Sequence, residues 1–258
     1  MLLWEVQSCI FVENNKVILL MRNLLLISSS AQQKGAQTLQ HAREAIIDLL
    51  GDKKSLLFIP YARPNGMKFE EYTAMIKAAF EAMDLPYKVV GIESFANPRT
   101  ALETAESVFI GGGNTFLLLR TLYKYEVMTI LQNRAENGMP YMGSSAGSNV
   151  AGLTVNTTND MPIVAPPSLN AMGLVPFNIN PHYPREVSTL HSGESRDQRI
   201  HEFHSLSEND LAVLALREDS MLRIKGDSMK LISADGSTAR LFRQGQEPIE
   251  MPVGELGL

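Results

Sequence analysis

The sequence predicts an α/β protein built around a mainly parallel β-sheet. From residue 21 onward, short apolar runs alternate with longer segments of helical periodicity, which is the pattern of repeated βα units. The chain has 258 residues, of which 45% are hydrophobic and 20% are charged, so it can bury a sizeable core. Single α/β domains of this length are common. We therefore expect one domain over residues 21–258.

The strands of the parallel sheet are expected where an apolar run is short and ends at Ser, Pro, Gly or Asn. These runs are Leu24–Ile27, Leu56–Ile59, Tyr87–Gly91, Val108–Ile110 and Met139–Met142, with Leu211–Leu216 as a later buried strand.

The helices are expected between these runs, where apolar residues recur at the spacing of a helix packed on a sheet. They are Ala36–Leu50, Phe69–Met83, a short helix from Asn97-Pro98 to Glu103, one or two helices within Thr115–Arg134, and Arg196–Phe203.

The first residues do not fit this pattern. Glu5, Glu13 and Lys16 interrupt them, and no basic segment precedes an apolar stretch long enough for secretion or membrane insertion. Met21 leads directly into the first predicted strand. We therefore expect residues 1–20 to be a non-native leader and the protein to carry no targeting or membrane segment.

The composition restricts the partners and the cellular setting. The formal net charge is −5, so the chain has no basic surplus for binding nucleic acid. Its single cysteine, Cys9, cannot form an intramolecular disulfide, which is typical of a reducing, cytoplasmic setting. If the natural chain begins at Met21, it contains no cysteine, and a thiol nucleophile is excluded.

The most informative motif is Gly143-Ser144-Ser145-Ala146-Gly147, a G-x-S-x-G sequence between a predicted strand and a predicted helix. In such an elbow the serine adopts a strained conformation at a sharp turn, and the glycines on either side avoid clashes with neighbouring backbone. Ser145 is the candidate nucleophile, and the Ala146 N–H is a candidate oxyanion donor. A small-residue turn without a catalytic role is the alternative interpretation.

A run of three glycines provides the second candidate donor. Val108–Ile110 leads into Gly111-Gly112-Gly113, a backbone that can present N–H groups to an anion. Gly112 or Gly113 is therefore the expected second member of the oxyanion hole. A nucleotide phosphate loop is the competing interpretation, but the run matches neither G-x-G-x-x-G nor G-x-x-x-x-G-K-[ST].

An ordinary serine is a weak nucleophile, so Ser145 needs a general base, which is usually histidine. His182 is the best candidate, because Pro181 and Pro184 hold it in a loop with little helical freedom. A histidine in such a loop has a structural role more often than a catalytic one. Its pairing with an elbow serine favours catalysis.

The other histidines considered, His41, His201 and His204, are expected at the surface or the rim of the site. His201 and His204 are one residue closer than the H-E-x-x-H spacing requires, so they cannot place both imidazoles one helical turn apart. We expect no metal there.

The imidazole also needs a carboxylate to orient it. Glu218 follows the predicted strand Leu211–Leu216, at the edge where ligands of open α/β sheets gather. Glu218 is the preferred candidate and Asp219 the second, although a solvated charged turn explains the same residues. The resulting order of Ser, His and acid along the chain is neither that of α/β-hydrolases nor that of trypsin-like enzymes.

The Pro- and Asn-rich stretch 156–184 is expected to be a long functional loop. Within it, Asp160 could order the loop or bind the amino group of a substrate, and the structural role is favoured. Asn114, next to the glycine run, is a further candidate for substrate binding.

These motifs resemble those of peptidase E, the α-aspartyl dipeptidases of serine peptidase family S51. The resemblance covers roughly residues 21–243, and its motifs are Gly111–Phe116, Gly143–Asn149, Thr157–Val164, Asn180-Pro181-His182 and Gly193–Ile200. It implies a three-layer α/β/α sandwich related to class I glutamine amidotransferases. It also implies a serine exopeptidase that releases N-terminal aspartate from Asp-X dipeptides, with no metal and no bound cofactor.

The resemblance assigns the nucleophile to Ser145, the base to His182 and the acid to Glu218. It further implies that Arg196 binds the side-chain carboxylate of the substrate aspartate, a contact for which the planar guanidinium is suited. From the sequence alone, Arg196 fits better as a surface residue of a helix, paired with a neighbouring carboxylate at Glu194 or Asp197.

Two other functions remain open. One is hydrolysis of longer aspartyl peptides, as in the related cyanophycinases. The other is a non-catalytic protein that binds a nucleotide or small acid, with a phosphate held at Gly111–Asn114. A homodimer is expected only because two-fold assemblies are common.

Overall fold

The computed structural model describes residues 12–13, 16–17, 21–31, 37–63, 66–185, 193–206 and 210–258. Most of the predicted leader, with Cys9, lies outside these residues. Its described part is a short antiparallel pair of strands.

The strands are β1 (Val12–Glu13), β2 (Lys16–Val17), β3 (Asn23–Ile27), β4 (Ser55–Ile59), β5 (Lys88–Gly91), β6 (Val108–Ile110), β7 (Tyr141–Ser144), β8 (Asn178–Tyr183), β9 (Val213–Arg217), β10 (Ser220–Lys225), β11 (Ser228–Ser233), β12 (Ala239–Phe242), β13 (Ile249–Met251) and β14 (Gly254–Glu255). The α-helices are α1 (Arg43–Leu50), α2 (Phe69–Ala82), α3 (Pro98–Thr104), α4 (Thr115–Lys124), α5 (Met128–Glu136), α6 (Ala146–Asn149) and α7 (Arg196–Leu206), and 3₁₀ turns lie at Gln40–Ala42 and Ile92–Ser94.

The main sheet has eight strands in the order β14-β11-β10-β3-β7-β6-β4-β5. The strands from β3 to β5 in this order pair in parallel, whereas β10, β11 and β14 are antiparallel to their neighbours. The sheet is therefore mixed, with the predicted parallel part at its centre and one edge. The elbow strand β7 lies between β3 and β6, where both of its edges are paired.

Helices cover both faces of the main sheet. Alternate residues of β3 point to opposite faces, so Leu24 and Leu26 belong to one buried apolar cluster while Leu25 and Ile27 belong to the other. The first cluster includes residues of α3, α4 and α5, and the second includes residues of α1 and α2. This arrangement confirms the three-layer α/β/α sandwich.

A second sheet has the order β13-β12-β9-β8, with β8 and β9 parallel. Its strand β9 ends at Arg217, and the chain re-enters the main sheet at Ser220 in β10. The two residues between these strands are the acid candidates Glu218 and Asp219. The two sheets therefore meet at the point where the acid was expected.

The helices expected at Ala36–Leu50 and Thr115–Arg134 differ in extent. Residue 36 lies outside the described residues. Leu39 has a φ of 64°, which a right-handed helix cannot contain, so no helix runs through it. The 3₁₀ turn Gln40–Ala42 follows, and α1 begins at Arg43. The second segment forms two helices, since Glu126 between them has a φ of 55°. Among the described residues, no helix has the length and apolar character needed to cross a membrane.

The prediction of a long loop over residues 156–184 is wrong at its end, because Asn178–Tyr183 forms strand β8. Proline lacks an N–H for a sheet ladder, which had argued for a loop at Pro181. However, β8 is the edge strand of its sheet, and its register with β9 is irregular between Asn180 and Tyr183. Edge strands and bulges are the places where a sheet tolerates proline.

Candidate active site

The G-x-S-x-G motif forms the strand–turn–helix elbow that its sequence predicts. Ser145 lies between β7 and α6 with φ 52° and ψ −109°, a conformation that is strained for a residue with a Cβ. Its N–H donates to the carbonyl of Ile27 at 3.0 Å. A Cβ on Gly143 would lie 2.4 Å from the Gly147 carbonyl oxygen, and one on Gly147 would lie 2.1 Å from that of Ile110. The tight turn therefore requires glycine at both positions.

The structure brings Ser145 and His182 into hydrogen-bond contact. The distance from Ser145 Oγ to His182 Nε2 is 2.8 Å. The other ring nitrogen, Nδ1, lies 2.9 Å from Glu218 Oε1. The imidazole thus connects the hydroxyl to the carboxylate, in the geometry that lets a histidine remove the serine proton.

Glu218 is held in its ionised form. The hydrogen bond from His182 is the main cause that lowers the pKa of the Glu218 carboxyl, and burial opposes it. A hydrogen bond from Ser29 and the charge of Arg196 lower this pKa further. An ionised carboxylate at this place favours the Nδ1–H tautomer of the imidazole, which leaves Nε2 free to accept a proton from Ser145.

The second acid candidate, Asp219, is not at the imidazole. Its side chain is buried, and its carboxylate pairs with Arg185, which also pairs with Asp235. Glu218 and Asp219 are adjacent after a strand, so their side chains point in different directions. The structure therefore selects Glu218 as the carboxylate that contacts His182.

A buried serine that the sequence reasoning missed supports the backbone of His182. The Oγ of Ser28, which is 0% exposed, accepts the His182 N–H at 2.9 Å and donates to the Leu216 carbonyl at 2.8 Å. His182 itself has a φ of 57°, so its backbone needs external support. The available signal was a pair of polar residues, Ser28 and Ser29, directly after a buried strand.

The glycine run lies beside the nucleophile. A Cβ on Gly112 would lie 3.0 Å from Ser145 Cβ, and Gly113 has a φ of 146° with Ala62 packed against it. The N–H groups of Gly112 and Gly113 donate to no acceptor among the residues that the structure describes. Ala146 opens α6, so its N–H has no acceptor within the helix. These three N–H groups remain available to a bound anion.

Arg196 is the first residue of α7. Within the described part of the chain, its Nη1 is buried and has no hydrogen-bond partner. Burial is the main cause that lowers the pKa of the guanidinium, Arg199 lowers it further, and the charges of Asp160 and Glu218 raise it. A guanidinium remains protonated despite such shifts. A half-buried cation with one buried nitrogen unpartnered among the described residues therefore lies within electrostatic reach of Glu218 and can accept another anion.

The surface pairing considered for Arg196 is wrong. Glu194 pairs instead with Arg199 at 3.8 Å. Asp197 accepts a hydrogen bond from Tyr183 and pairs with Arg240 at 3.0 Å. Because Tyr183 is next to His182, the Asp197 contact ties the first turn of α7 to the strand that carries the candidate base.

Asn114 and Asp160 connect the loop that begins at residue 156 to the start of α4. Asn114 is the N-cap, with Oδ1 accepting from the Leu117 N–H at 3.0 Å and Nδ2 donating to the Met161 carbonyl at 2.8 Å. Asp160 Oδ2 accepts from the Thr115 N–H at 2.7 Å. Both side chains therefore order the loop, and a contact of either with substrate stays a prediction.

Among the residues that the structure describes, His41, His201 and His204 make no hydrogen bond to Ser145, His182 or Glu218. His201 is exposed, but the surface position expected for His204 is wrong, because its imidazole is 3% exposed and its Nε2 lies 2.9 Å from the Leu211 carbonyl oxygen. This hydrogen bond compensates for burying Nε2, whereas Nδ1 is buried without a described partner. His41 lies in a 3₁₀ turn rather than an α-helix. Among the described residues, no group of His, Cys, Asp and Glu is placed to hold a metal ion.

Comparisons with known proteins identify the family of the chain. The profile described as "Peptidase family S51" matches residues 24–232. A protein named peptidase E from Streptomyces coelicolor is 44% identical over 233 residues, which cover 90% of this chain and 92% of the relative. A Drosophila melanogaster protein named probable alpha-aspartyl dipeptidase is 42% identical over 232 residues, covering 85% of this chain and 93% of the relative.

Solved structures support the fold. The crystal structure of a peptidase from an acI-B1 actinobacterium superposes with a TM-score of 0.67 and 14% identity, covering 93% of this chain and 98% of the other. This likeness concerns the fold alone. The profile match and the relatives with 44% and 42% identity show that the chain belongs to peptidase family S51.

Proposed function

We propose that the protein is a serine exopeptidase that hydrolyses Asp-X dipeptides and releases the N-terminal aspartate. The observation that carries the proposal is the relay from Ser145 Oγ through His182 to Glu218, with distances of 2.8 and 2.9 Å. The guanidinium of Arg196, whose buried Nη1 has no hydrogen-bond partner among the described residues, supports an acidic substrate. The names of the relatives, peptidase E and probable alpha-aspartyl dipeptidase, point to the same activity.

In the first half of the reaction, Ser145 Oγ attacks the carbonyl carbon of the aspartyl residue while its proton passes to His182 Nε2. The negative oxygen that forms accepts hydrogen bonds from the Ala146 N–H and from the N–H of Gly113 or Gly112. When this intermediate collapses, the C–N bond breaks and His182 returns the proton to the leaving amine. Glu218 stabilises the imidazolium while it carries the proton.

In the second half, water attacks the aspartyl ester on Ser145. His182 takes a proton from the water and then gives it to Ser145 Oγ as the ester bond breaks. Aspartate leaves and the free hydroxyl is restored. Both halves use the same proton acceptor, so one imidazole position serves the whole cycle.

The specificity for aspartate is proposed to come from Arg196. Its side chain can form two parallel hydrogen bonds with a carboxylate. A neutral side chain such as that of asparagine would leave this cation without its anionic partner, which costs about 1.5–3 kcal/mol in lost charged hydrogen bonding. Substrate recognition therefore depends on charge and not only on size.

The setting of the enzyme is also proposed. We propose that residues 21–258 form one catalytic domain and that the enzyme is cytoplasmic and homodimeric. Nucleic acid is not expected as a partner, because the net charge is −5. Gel filtration of the full chain at several concentrations would test the dimer.

The test of the activity is hydrolysis of Asp-Leu, Asn-Leu and Glu-Leu by the wild type. We expect kcat/KM for Asp-Leu to exceed that for Asn-Leu by about 10- to 150-fold, from the loss of the charged contact. Glu-Leu should also be cleaved more slowly than Asp-Leu, because its extra methylene displaces the carboxylate from Arg196. Arg196→Met should lower the Asp-Leu value by a similar factor. Arg199→Met is the matched control, because Arg199 lies on the same helix but pairs with exposed Glu194.

The nucleophile is tested in the same assay. Ser145→Ala should reduce kcat by about 10⁶, as expected for loss of a serine nucleophile, and leave the thermal unfolding curve intact. Retained hydrolysis by this variant would remove Ser145 as the nucleophile. Equal wild-type rates on the three dipeptides would contradict the role of Arg196, and faster cleavage of longer aspartyl peptides would favour the cyanophycinase-like alternative.

A further inference from the structure

A buried tyrosine contacts the glycine run from the side of α2. The phenol of Tyr72, which is 2% exposed, donates its hydroxyl hydrogen bond to the Gly112 carbonyl at 3.1 Å. The phenol also packs directly on the preceding residue, since a Cβ on Gly111 would lie 2.7 Å from Tyr72 Oη. A hydroxyl within an apolar cluster therefore forms its hydrogen bond with a peptide group next to the candidate nucleophile.

The carbonyl that Tyr72 binds belongs to the Gly112–Gly113 peptide. The peptide is trans, so its C=O and N–H point in opposite directions. A hydrogen bond that fixes the Gly112 carbonyl on the α2 side therefore also fixes the direction of the Gly113 N–H. That N–H is a proposed oxyanion donor, and it has no acceptor among the described residues.

The two glycines make this peptide easy to rotate. Neither neighbour has a Cβ, so the usual steric barriers that select one orientation of a peptide are missing. Gly113 has a φ of 146°, a region that only glycine adopts readily. The glycines are needed for close approach, because a Cβ on Gly112 would lie 3.0 Å from Ser145 Cβ. The orientation must then be fixed by something outside the run.

The ring of Tyr72 is itself held from two sides. The guanidinium of Arg63 lies over the ring, 4.4 Å from its centroid. The ring of Phe58 makes an edge contact with a centroid distance of 5.0 Å and an interplanar angle of 89°. Aromatic and cation–π contacts of this kind restrict the orientation of a ring. The hydroxyl therefore approaches the Gly112 carbonyl from a fixed position.

We propose that Tyr72 is a positioning residue for the oxyanion hole, and that its hydrogen bond to the Gly112 carbonyl holds the Gly113 N–H toward the tetrahedral intermediate. This inference rests on the proposed serine peptidase activity. It assigns Tyr72 no contact with the substrate and no part in proton transfer. Its effect is confined to the state in which negative charge has developed on the carbonyl oxygen.

The test is Tyr72→Phe, which removes only the hydroxyl. We expect kcat for Asp-Leu to fall about 10-fold, because a misdirected donor costs somewhat less than the complete loss of one, while KM stays within about twofold. The affinity for an aspartate analogue that carries a boronic acid in place of the carbonyl should also fall about 10-fold, since its adduct with Ser145 resembles the intermediate. Inhibition by free aspartate, which forms no adduct, should be unchanged.

Tyr87→Phe is the matched control. Tyr87 is 7% exposed, and its hydroxyl donates to the carbonyl of Gly51 at 3.3 Å. It precedes β5, at the amino end of the parallel strands and away from Ser145. This variant should keep the wild-type kcat and boronate affinity. Such a result would show that the loss in Tyr72→Phe comes from the position of the hydroxyl and not from the removal of a buried hydroxyl in general.

Several outcomes would overturn the inference. Wild-type kcat and boronate affinity in Tyr72→Phe would do so, and so would equal losses of boronate and aspartate affinity, since these indicate general disorder of the site. If the wild type itself neither hydrolyses Asp-Leu nor binds the boronate, the proposed function fails and this inference with it. A wild type that does both, with Tyr72→Phe equal to it, contradicts only the role of Tyr72.

Discussion

The nucleophile and the base stand on two differently built regions. Ser145 directly follows β7, which lies between two parallel neighbours within the main sheet, whereas His182 lies on β8 at the edge of the smaller sheet. Both residues have positive φ, 52° for Ser145 and 57° for His182. The two regions therefore impose the same kind of strain on a non-glycine residue, but they support it in different ways.

The elbow turn is made possible by residues that are close in sequence, and the adjacent strand β3 holds it in place. Gly143 and Gly147 make the turn sterically possible. The Ile27 carbonyl at the end of β3 accepts from the Ser145 N–H at 3.0 Å and from Ser148 Oγ at 2.8 Å. His182 is supported by Ser28, which is 154 residues away in the chain. The nucleophile therefore needs its own glycines and one neighbouring strand of the same sheet, whereas the base depends on assembly of the two sheets. Variants in each region should fail in correspondingly different ways.

The largest effect is expected for Gly147→Ala in the elbow. The added Cβ would meet the Ile110 carbonyl oxygen at 2.1 Å, and this backbone cannot move without shifting β6. We expect a loss of about 3 kcal/mol in the free energy of unfolding, at the upper end for overpacking. A shift of Ser145 by about 1 Å should also lower kcat by about 10² or more. Urea denaturation and Asp-Leu kinetics measure the two effects.

Gly257→Ala is the control for this variant, since a Cβ there would meet no atom within 4 Å. It should leave both stability and kcat at the wild-type values. A Gly147→Ala variant that kept wild-type kcat would contradict the view that the elbow is sterically fixed by its glycines.

A smaller effect is expected for Ser28→Ala on the side of the base. The change leaves the His182 N–H and the Leu216 carbonyl without their partner, which should cost about 1–2 kcal/mol. Looser support of the His182 backbone should lower kcat about 10-fold with little change in KM, because the base acts in the transition state rather than in binding. Stopped-flow or steady-state kinetics with denaturation curves would measure both.

Ser107→Ala provides the matched comparison for Ser28. Ser107 is also 0% exposed, and its hydroxyl donates to the Ser55 carbonyl at 2.6 Å. It precedes β6, however, and so lies at the amino end of the parallel strands, whereas Ser28 follows the carboxyl end of β3. It should lose stability to a similar degree and keep kcat. If both variants lost kcat equally, the effect of Ser28 would be general destabilisation and not support of the base.

The smallest effect is the pH dependence of stability from Glu218. Its pKa is lowered in the folded state, mainly by the hydrogen bond from His182. The stabilisation is therefore present above the unfolded pKa of about 4.3 and is lost as the pH falls through the folded value. The side chain is 41% exposed, so the contribution should stay below about 1 kcal/mol.

Denaturation curves of the wild type and Glu218→Gln from neutral pH to about pH 3 would measure this contribution. The difference in free energy of unfolding between the wild type and Glu218→Gln should be constant near neutral pH and should shrink at acid pH. The substitution also impairs catalysis, which is a separate effect. A difference that grew as the pH fell would mean that the carboxylate is not stabilised by its folded neighbours.

The two regions also differ in how far the sequence predicted them. The elbow was predicted with its strand, turn and helix, although β7 runs on to Ser144 rather than ending at Met142. Glycine spacing reports a local steric requirement, so it is visible in a few adjacent letters. His182 was predicted as the general base, but the strand that carries it was predicted as a loop, because proline is compatible with both a loop and an edge strand.

The supporting residues were not found from the sequence. Ser28 and Tyr72 are single polar residues whose partners lie 154 and 40 positions away, and no periodic pattern marks such contacts. The choice between Glu218 and Asp219 was left open for the same reason. Adjacent carboxylates differ only in the direction their side chains take, and that direction is set by the packing of the neighbouring strands.

By itself, the sequence determined the α/β architecture and the position of the serine, because apolar periodicity and glycine placement act over a few residues. The tertiary structure decided which acid meets His182, which serine supports it, and that the Nη1 of Arg196 is buried without a described partner. These depend on how the second sheet and α7 join the main sheet. Contacts between segments that are remote in the chain arise only when the strands have found their neighbours, so no local pattern encodes them.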